Sequence, residues 1–376
     1  MKKNITITHL TSVHPRYDAR IFHKMCKSLT KNYQVNLIVA DGNGDELKDN
    51  IKIYDIGKPI SRLKRVLKTT KKILEKAKEL NSDIYHIHDP ELIFIGLELK
   101  KIGKIVIFDA HEDLPKQIMA KHYLGKISKK VLSKIISKVE ILTLRKFDLV
   151  ISATPIIRDK FLNNKIKSID INNFPILDEL IDIKPTFETK NICYVGLLYQ
   201  TRGIKEIVKA IEDIEDIKLI IAGKFYDKNF ENEIKALKGW QKVDFRGFVN
   251  RDELKEILKN SVAGLVTLHP TPSYIEAYPV KMFEYMSAGL PVISSDFPIY
   301  REFVYGNSCG VCVNPLKVDE ITKAINSILD NLENAKKMGQ NGKKAVLKKY
   351  NWNNEEKKLL NTYKSLITKI LKKDKK

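Results

Sequence analysis

Residues 276–294 read EAYPVKMFEYMSAGLPVIS, and the rest of the chain can be read outward from them. Glu276 and Glu284 stand eight residues apart with Lys281 between them. Proline is tolerated in the first turn of a helix, so Pro279 sets a helix from about Val280 to Ala288. The small-Gly-Leu-Pro run Ala288–Pro291 closes it and leads into the apolar pair Val292–Ile293. Glu276 then lies in the loop before the helix, and Glu284 about one turn into it. The unpaired N–H groups at a helix start carry a partial positive charge suited to phosphate, and Lys281 adds a full charge there. The stretch on its own therefore predicts a phosphate-bearing ligand, gripped by the helix end and positioned by two glutamates.

The same strand–helix rhythm runs through the whole sequence. Strands are expected at 4–10, 34–40, 51–56, 83–88, 104–109 and 148–153, and helices at about 21–29, 61–80, 92–101 and 128–145. In the 61–80 helix, Leu63, Val66, Leu67, Ile73, Leu74 and Ala77 share one side. Turn chemistry occupies Asp41–Glu46. The rhythm weakens near 172–185, in FPILDELIDIKP, and restarts with strands at 191–195, 217–222, 243–245, 263–268, 291–294 and 310–313. Helices are expected at 251–259 and 318–331, then two more from Leu332 and Asn353. This alternation predicts an α/β protein with two doubly wound, mostly parallel sheets, whose ligands bind beyond the carboxyl ends of the strands. The expected boundaries are residues 1–172, 186–350 and a terminal helical segment, 351–376.

A length of 376 residues suits two such domains, and 43% hydrophobic content with 13 prolines fits an ordered globular chain. The N-terminus lacks a signal-peptide core, and no run is long enough to span a membrane. Cys26, Cys193, Cys309 and Cys312 are too scattered for a disulfide scaffold. The expected location is the cytoplasm.

Several short patterns sit where chemistry would be expected. His111, in FDAHEDLPK, follows a strand and stands beside two acids, so it is a candidate base, hydrogen-bond donor or metal ligand. His86 and His88 share a strand face with Asp89 following, but no third metal ligand is assured, and a structural role is favoured. The CGVC at 309–312 lies in an apolar run without a second pair and reads as structural. There is no GxGxxG after the first strand, no Walker loop and no Asp-x-Asp, which argues against dinucleotide-dependent hydride transfer, P-loop hydrolysis and a chelated metal. Gly196 permits close backbone approach after the 191–195 strand, and Arg202 and Lys205 reach toward a diphosphate. Glu276 sits among Tyr274, Tyr278 and Pro279, a setting that a merely solvated carboxylate does not need.

Taken together these residues resemble the family 4 glycosyltransferases of the GT-B fold. The most specific element is Glu276-x7-Glu284, supported by HIHDPELIFIGL from His86, FDAHED from Phe108, RGI from Arg202 and FRGFV from Phe245. The N-terminal SVHPRYDARIFHKMCKSL looks like a surface-polysaccharide branch, and YNW from Tyr350 like the segment that returns to the first domain. The resemblance implies two Rossmann-like domains facing a cleft, and sugar transfer from a nucleotide sugar with retention and without a metal or other cofactor. It places the base near Gly223, Arg246, Gly247 and Phe248, and the nucleotide backbone against Gly196. It assigns the ribose to Glu284, the diphosphate to Arg202 and Lys281, the donor sugar to Glu276, and the reacting centre to His111. This chain departs from the pattern twice. Ser12-Val13-His14-Pro15 replaces a glycine pair, with His14, Arg16 and Arg20 as the available substitutes, and Leu197 replaces an arginine.

The formal charge of +21 concentrates in two stretches of the first half. Lys116–Lys146 holds nine Lys or Arg and one acid, Glu140, with Lys126, Lys130, Lys134 and Lys138 on one helix side. Val131, Ile135, Val139 and Leu142 lie largely opposite. The expected partner is an anionic membrane surface carrying a lipid-linked or glycan acceptor, not nucleic acid, because no aromatic-interleaved basic motif appears. Other readings are a sugar-nucleotide epimerase of the same fold and a basic binding protein without catalysis.

Overall fold

The structure, a computed structural model, describes residues 5–119 and 125–373. Residues 1–4, 120–124 and 374–376, and the side chains of residues 126 and 369–373, fall outside that description. The chain forms two units: Met1–Asn173 with Glu355–Lys376, and Phe174–Asn354.

In unit 1, β1 (Thr6–Leu10), β2 (Gln34–Val39), β3 (Glu46–Lys48), β4 (Ile51–Asp55), β5 (Ile84–Ile87), β6 (Ile105–Ala110), β7 (Leu149–Ser152) and β8 (Ser168–Asp170) form one sheet. Its order is β3-β4-β2-β1-β5-β6-β7-β8, parallel except at the β3–β4 hairpin. In unit 2, β9 (Asn191–Val195), β10 (Lys218–Ala222), β11 (Val243–Gly247), β12 (Ala263–Val266), β13 (Val292–Ser295) and β14 (Gly310–Val313) pair in parallel in the order β11-β10-β9-β12-β13-β14. Strand order reverses between β1 and β5 in one sheet and between β9 and β12 in the other, and crevices open at such switch points.

Both faces of the second sheet are covered. Ile192 and Tyr194 of β9 enter one apolar cluster, and Cys193 enters the other. That two-sided burial is why the strands read as continuous apolar runs. Among the helices used below are α1 (Thr70–Leu80), α2 (Lys126–Leu144), α3 (Pro155–Asn163), α4 (Ile204–Ala210), α5 (Arg251–Lys259), α6 (Val280–Ala288) and α7 (Trp352–Lys373).

Three differences from the expected elements have physical causes. The 41–46 turn runs into the short strand β3, because Arg16 draws Asp41 and Glu46 together with hydrogen bonds of 2.8 and 2.9 Å. The 61–80 helix is broken by a wider turn at Arg65–Thr69, so Ile73 and Ala77 are fully buried and Leu74 packs partly against the core, while Leu63, Val66 and Leu67 stay exposed. Helix α3, strand β8 and the helices Lys228–Lys235 and Pro298–Val304 lie in stretches to which no element was assigned from sequence.

The basic helix α2 packs inward through a partly polar face. Ser133, Glu140, Thr143 and Leu144 face inward, with Ser133 donating to the Pro115 carbonyl at 3.0 Å and Glu140 bound to Lys160 of α3 at 2.7 Å. The apolar residues Ile127, Val131, Ile135, Val139 and Leu142 are exposed, Ile127 by 81% and Ile135 by 55%. Lys130, Lys134 and Lys138 flank that stripe.

Candidate functional site

Helix α6 begins directly after Pro279, which is the residue just outside the first turn. It ends on Gly289 at φ 82°, where the Leu290 N–H reaches back to the Tyr285 carbonyl and the Gly289 N–H to that of Met286. This left-handed stop satisfies the last carbonyls and turns the chain into β13. The helix is seated by Tyr285, whose buried hydroxyl accepts the Val195 N–H at 2.8 Å, just before Gly196. Gly264 on β12 clears space for that ring, since a Cβ there would lie 2.2 Å from it. Gly264→Ala should therefore destabilise unit 2 by about 1–3 kcal/mol in denaturant titrations; an unchanged midpoint would contradict this packing.

Seated this way, α6 delivers Lys281 to the carboxyl end of β9. Its side chain is 9% exposed, its Nζ lies 3.6 Å from the ring centre of Tyr194, and no hydrogen-bond partner reaches it among the described residues. A Cβ at Gly196 (φ 136°) would stand 3.0 Å from that Nζ. Burial, and next the Arg202 charge, push the Lys281 amine well below its ordinary value. Arg202 leans over the Tyr274 ring at 5.0 Å, and its buried Nε is also unpartnered. Gly203 follows at φ 74° and starts α4; a side chain there would strike the Thr267 carbonyl at 2.1 Å. Two basic side chains whose buried nitrogens have no hydrogen-bond partner among the described residues make a candidate anion site at the β9–β12 switch point.

The remaining candidates of unit 2 spread along the strand ends. The Gly196 N–H bonds to the Ala222 carbonyl at 2.8 Å, and the Gly223 N–H bonds to that of Gly247 at 2.6 Å. A Cβ at Gly223 would lie 1.9 Å from the Gly196 carbonyl oxygen, so only glycine lets β9 and β10 end this close together. Arg246 is exposed and held by Asp244 at 2.6 Å, while Phe248 is 88% exposed. Glu284 accepts from Arg251 at 3.0 Å, and that arginine, at the start of α5, also binds Glu179. Glu276 is half-buried in the turn before α6.

His111 belongs to unit 1, at the end of β6, and the structure joins it to His88, Arg20 and His14, and to His9, Asp109 and Tyr363, which the sequence did not single out. Register explains the cluster: His9 pairs with His86 across β1–β5, and His88, two residues on, lies beside Asp109 of β6. Asp109 is fully buried and receives Arg20 Nε at 2.9 Å, Arg20 Nη2 at 2.7 Å, His111 Nε2 at 3.0 Å and His88 Nδ1 at 3.2 Å. Burial opposes its charge, but Arg20 and then His111 hold the carboxyl well below the usual range. His88 Nε2 meets His9 Nδ1 at 2.8 Å, and His86 Nδ1 meets the Tyr363 hydroxyl of α7 at 2.7 Å.

Atoms of His9, His86 and His88, and of His88, Asp109 and His111, come within 4.8 Å of one another. Both nitrogens of His88 are already engaged and Asp109 is clamped by Arg20, so neither set offers three open metal ligands. Arg16 and Arg20, considered from sequence as free replacements near the N-terminal loop, are committed internally: Arg16 to Asp41 and Glu46, Arg20 to Asp109 and the Ile171 carbonyl. His14 stays half-exposed, 3.4 Å from both Asp18 and Asp89.

These two sites stand on folds with clear relatives. Residues 19–172 match the model for glycosyltransferase family 4, and residues 179–345 that for glycosyl transferases group 1. The two matches together span most of the chain, which belongs to the family 4 glycosyltransferases and has their GT-B fold. An uncharacterized glycosyltransferase of Methanocaldococcus jannaschii is 28% identical over 303 residues, 75% of this chain and 75% of that protein. Sucrose-phosphate synthase from Thermosynechococcus elongatus has a TM-score of 0.80 at 17% identity, covering 97% of this chain and 99% of its own. The Anabaena protein HepE, solved with UDP and glucose, gives 0.74 at 15% identity over 96% and 100%. The chain is a glycosyltransferase.

Proposed function

We propose that this glycosyltransferase moves a sugar, with retention and without a bound metal, from a nucleotide sugar to a glycan or lipid-linked acceptor. We place that reaction in cell-surface polysaccharide assembly, on the cytoplasmic side of the membrane. One observation carries the donor half: Lys281 and Arg202 hold unpartnered buried nitrogens beside Gly196. As the glycosidic bond breaks, the diphosphate gains negative charge, and cations already aimed at it favour the transition state over the ground state. Glu284, oriented by Arg251, is the ribose acceptor in this reading, and Glu276 holds the donor sugar. Gly223, Arg246, Gly247 and Phe248 border the base, and His111 is the residue that unit 1 contributes to the reaction. The UDP and glucose bound by the Anabaena protein are consistent with a nucleotide-sugar donor.

A thermal-shift screen with UDP, GDP, ADP and their sugars tests this directly. One diphosphate at about one hundred times its Kd should add about 2.7 kcal/mol of stability. Silence for all of them, in a protein that unfolds cooperatively, would refute the donor site.

The acceptor half rests on α2. Among the described residues no helix is long and apolar enough to cross a membrane. An exposed apolar stripe flanked by lysines is instead suited to lie in the plane of an anionic surface. The protein should co-sediment with vesicles containing anionic lipid, and Ile127→Asp with Ile135→Asp should release it; binding indifferent to lipid charge would refute the idea.

A further inference from the structure

We propose that the buried histidines of unit 1 form a preset, one-directional proton array that fixes His111 with its proton on Nε2, leaving Nδ1 as the nitrogen offered to substrate. The proposal rests on His111 being a site residue and adds how it is held. An ionised Asp109 can only accept hydrogen bonds, and the array assigns a proton to both His88 Nδ1 and His111 Nε2, each aimed at Asp109 Oδ2, at 3.2 and 3.0 Å, rather than at the other nitrogen, 3.3 Å away. His88 is buried and neutral, which leaves its Nε2 bare. At 2.8 Å that nitrogen must accept from His9, so His9 is protonated on Nδ1 and bare on Nε2.

At the other end, the Tyr363 hydroxyl is fully buried and His86 Nδ1 is its partner. A buried hydroxyl left without an acceptor is costly, so Tyr363 donates and His86 carries its proton on Nε2. His9 Nε2, a bare lone pair, and His86 Nε2, an N–H, are the two buried nitrogens of the group without hydrogen-bond partners among the described residues, and their rings lie 4.7 Å apart. Their polarities are complementary. Every donor in the row therefore points the same way, from α7 through His86, His9 and His88 to Asp109. Arg20 supplies the fixed positive charge on the carboxylate. His14, backed by Asp18 and Asp89, is the other titratable neighbour of the His111 ring, at 4.9 Å. His88 is thus a positioning residue, acting on His111 through Asp109.

Long-range proton–nitrogen NMR on the full chain, labelled with 15N-histidine, reads these tautomers directly. Near pH 7.5, His9 and His88 should be protonated on Nδ1, and His86 and His111 on Nε2. A neutral His111 protonated on Nδ1, or His88 on Nε2, would overturn the array. With the donor sugar found by the nucleotide screen, His88→Leu should lower kcat about tenfold with little change in KM. His88→Asn, whose amide N–H stands where Nδ1 stood, should restore most of the rate; equal losses in both variants would reduce His88 to packing. Full activity in His111→Ala would instead refute the reading of His111 as a site residue, a result separable from the tautomer pattern.

Discussion

Replacing Lys281 with methionine is expected to raise the melting temperature of the ligand-free protein while cutting sugar transfer by roughly 10²–10³-fold. The two effects have one cause. The Lys281 ammonium is buried against the Tyr194 ring beside a second cation, and no acceptor pairs with it among the described residues. A group whose folded pKa lies below its unfolded value costs stability at every pH under the unfolded value, here 10.5, and the cost grows as pH falls toward the folded one. Methionine fills the same space without that cost, for a gain on the order of 1 kcal/mol. Scanning calorimetry with and without nucleoside diphosphate checks both halves. The variant should melt higher alone yet gain nothing from the ligand. A variant that melts lower and still binds nucleotide would contradict the placement of Lys281.

The second large effect is acid sensitivity confined to unit 1. Burial first, then neighbouring imidazoles, pushes His9 and His86 well below their ordinary value, and burial takes His88 down to about 3. Below pH 6.5 the unfolded chain takes up protons that these folded histidines refuse, so stability falls as pH drops. Each lowered histidine contributes a slope of up to about 1.4 kcal/mol per pH unit, and the three together about 4. His14 works the other way: burial opposes its charge, but Asp18 and Asp89 outweigh that and raise it, which offsets part of the loss. Hydrogen exchange between pH 7.5 and 5.5 should show β1, β5 and β6 losing protection, with a shallower dependence in His86→Leu. Equal protection at both pH values would mean that the imidazoles are not buried as described.

How far the sequence could be read depends on which residues act alone. Strand and helix limits in unit 2 were legible nearly to the residue, as at 191–195, 251–259 and 280–288, because buried parallel strands and capped helices leave strong local patterns. The pairing of Lys281 with Gly196 was not legible, because it depends on the Tyr285–Gly264 fit that seats the helix. Arg251 on Glu284 and Tyr194 under Lys281 were invisible for the same reason: each is a contact between elements far apart in sequence. His86 and His88 were noticed as sharing a face, but their partners came from β1, β6 and α7, which only register brings together. The orientation of α2 was not legible, because its inward face is set by specific partners, the Lys160 ammonium for Glu140 and the Pro115 carbonyl for Ser133. A helical pattern alone does not say which side faces in.

The division of the chain also bears on how the protein is made. Unit 2 is one continuous segment and can fold as soon as it has left the ribosome. Unit 1 is interrupted, and Tyr363, the hydroxyl partner of His86 in its core, is translated only after all of unit 2. A nascent first unit must therefore wait about 180 codons, roughly 9–36 s at ordinary translation rates, with an imidazole facing an unfilled place in its interior. That interval is when chaperones have most to protect, although this is the segment synthesised first.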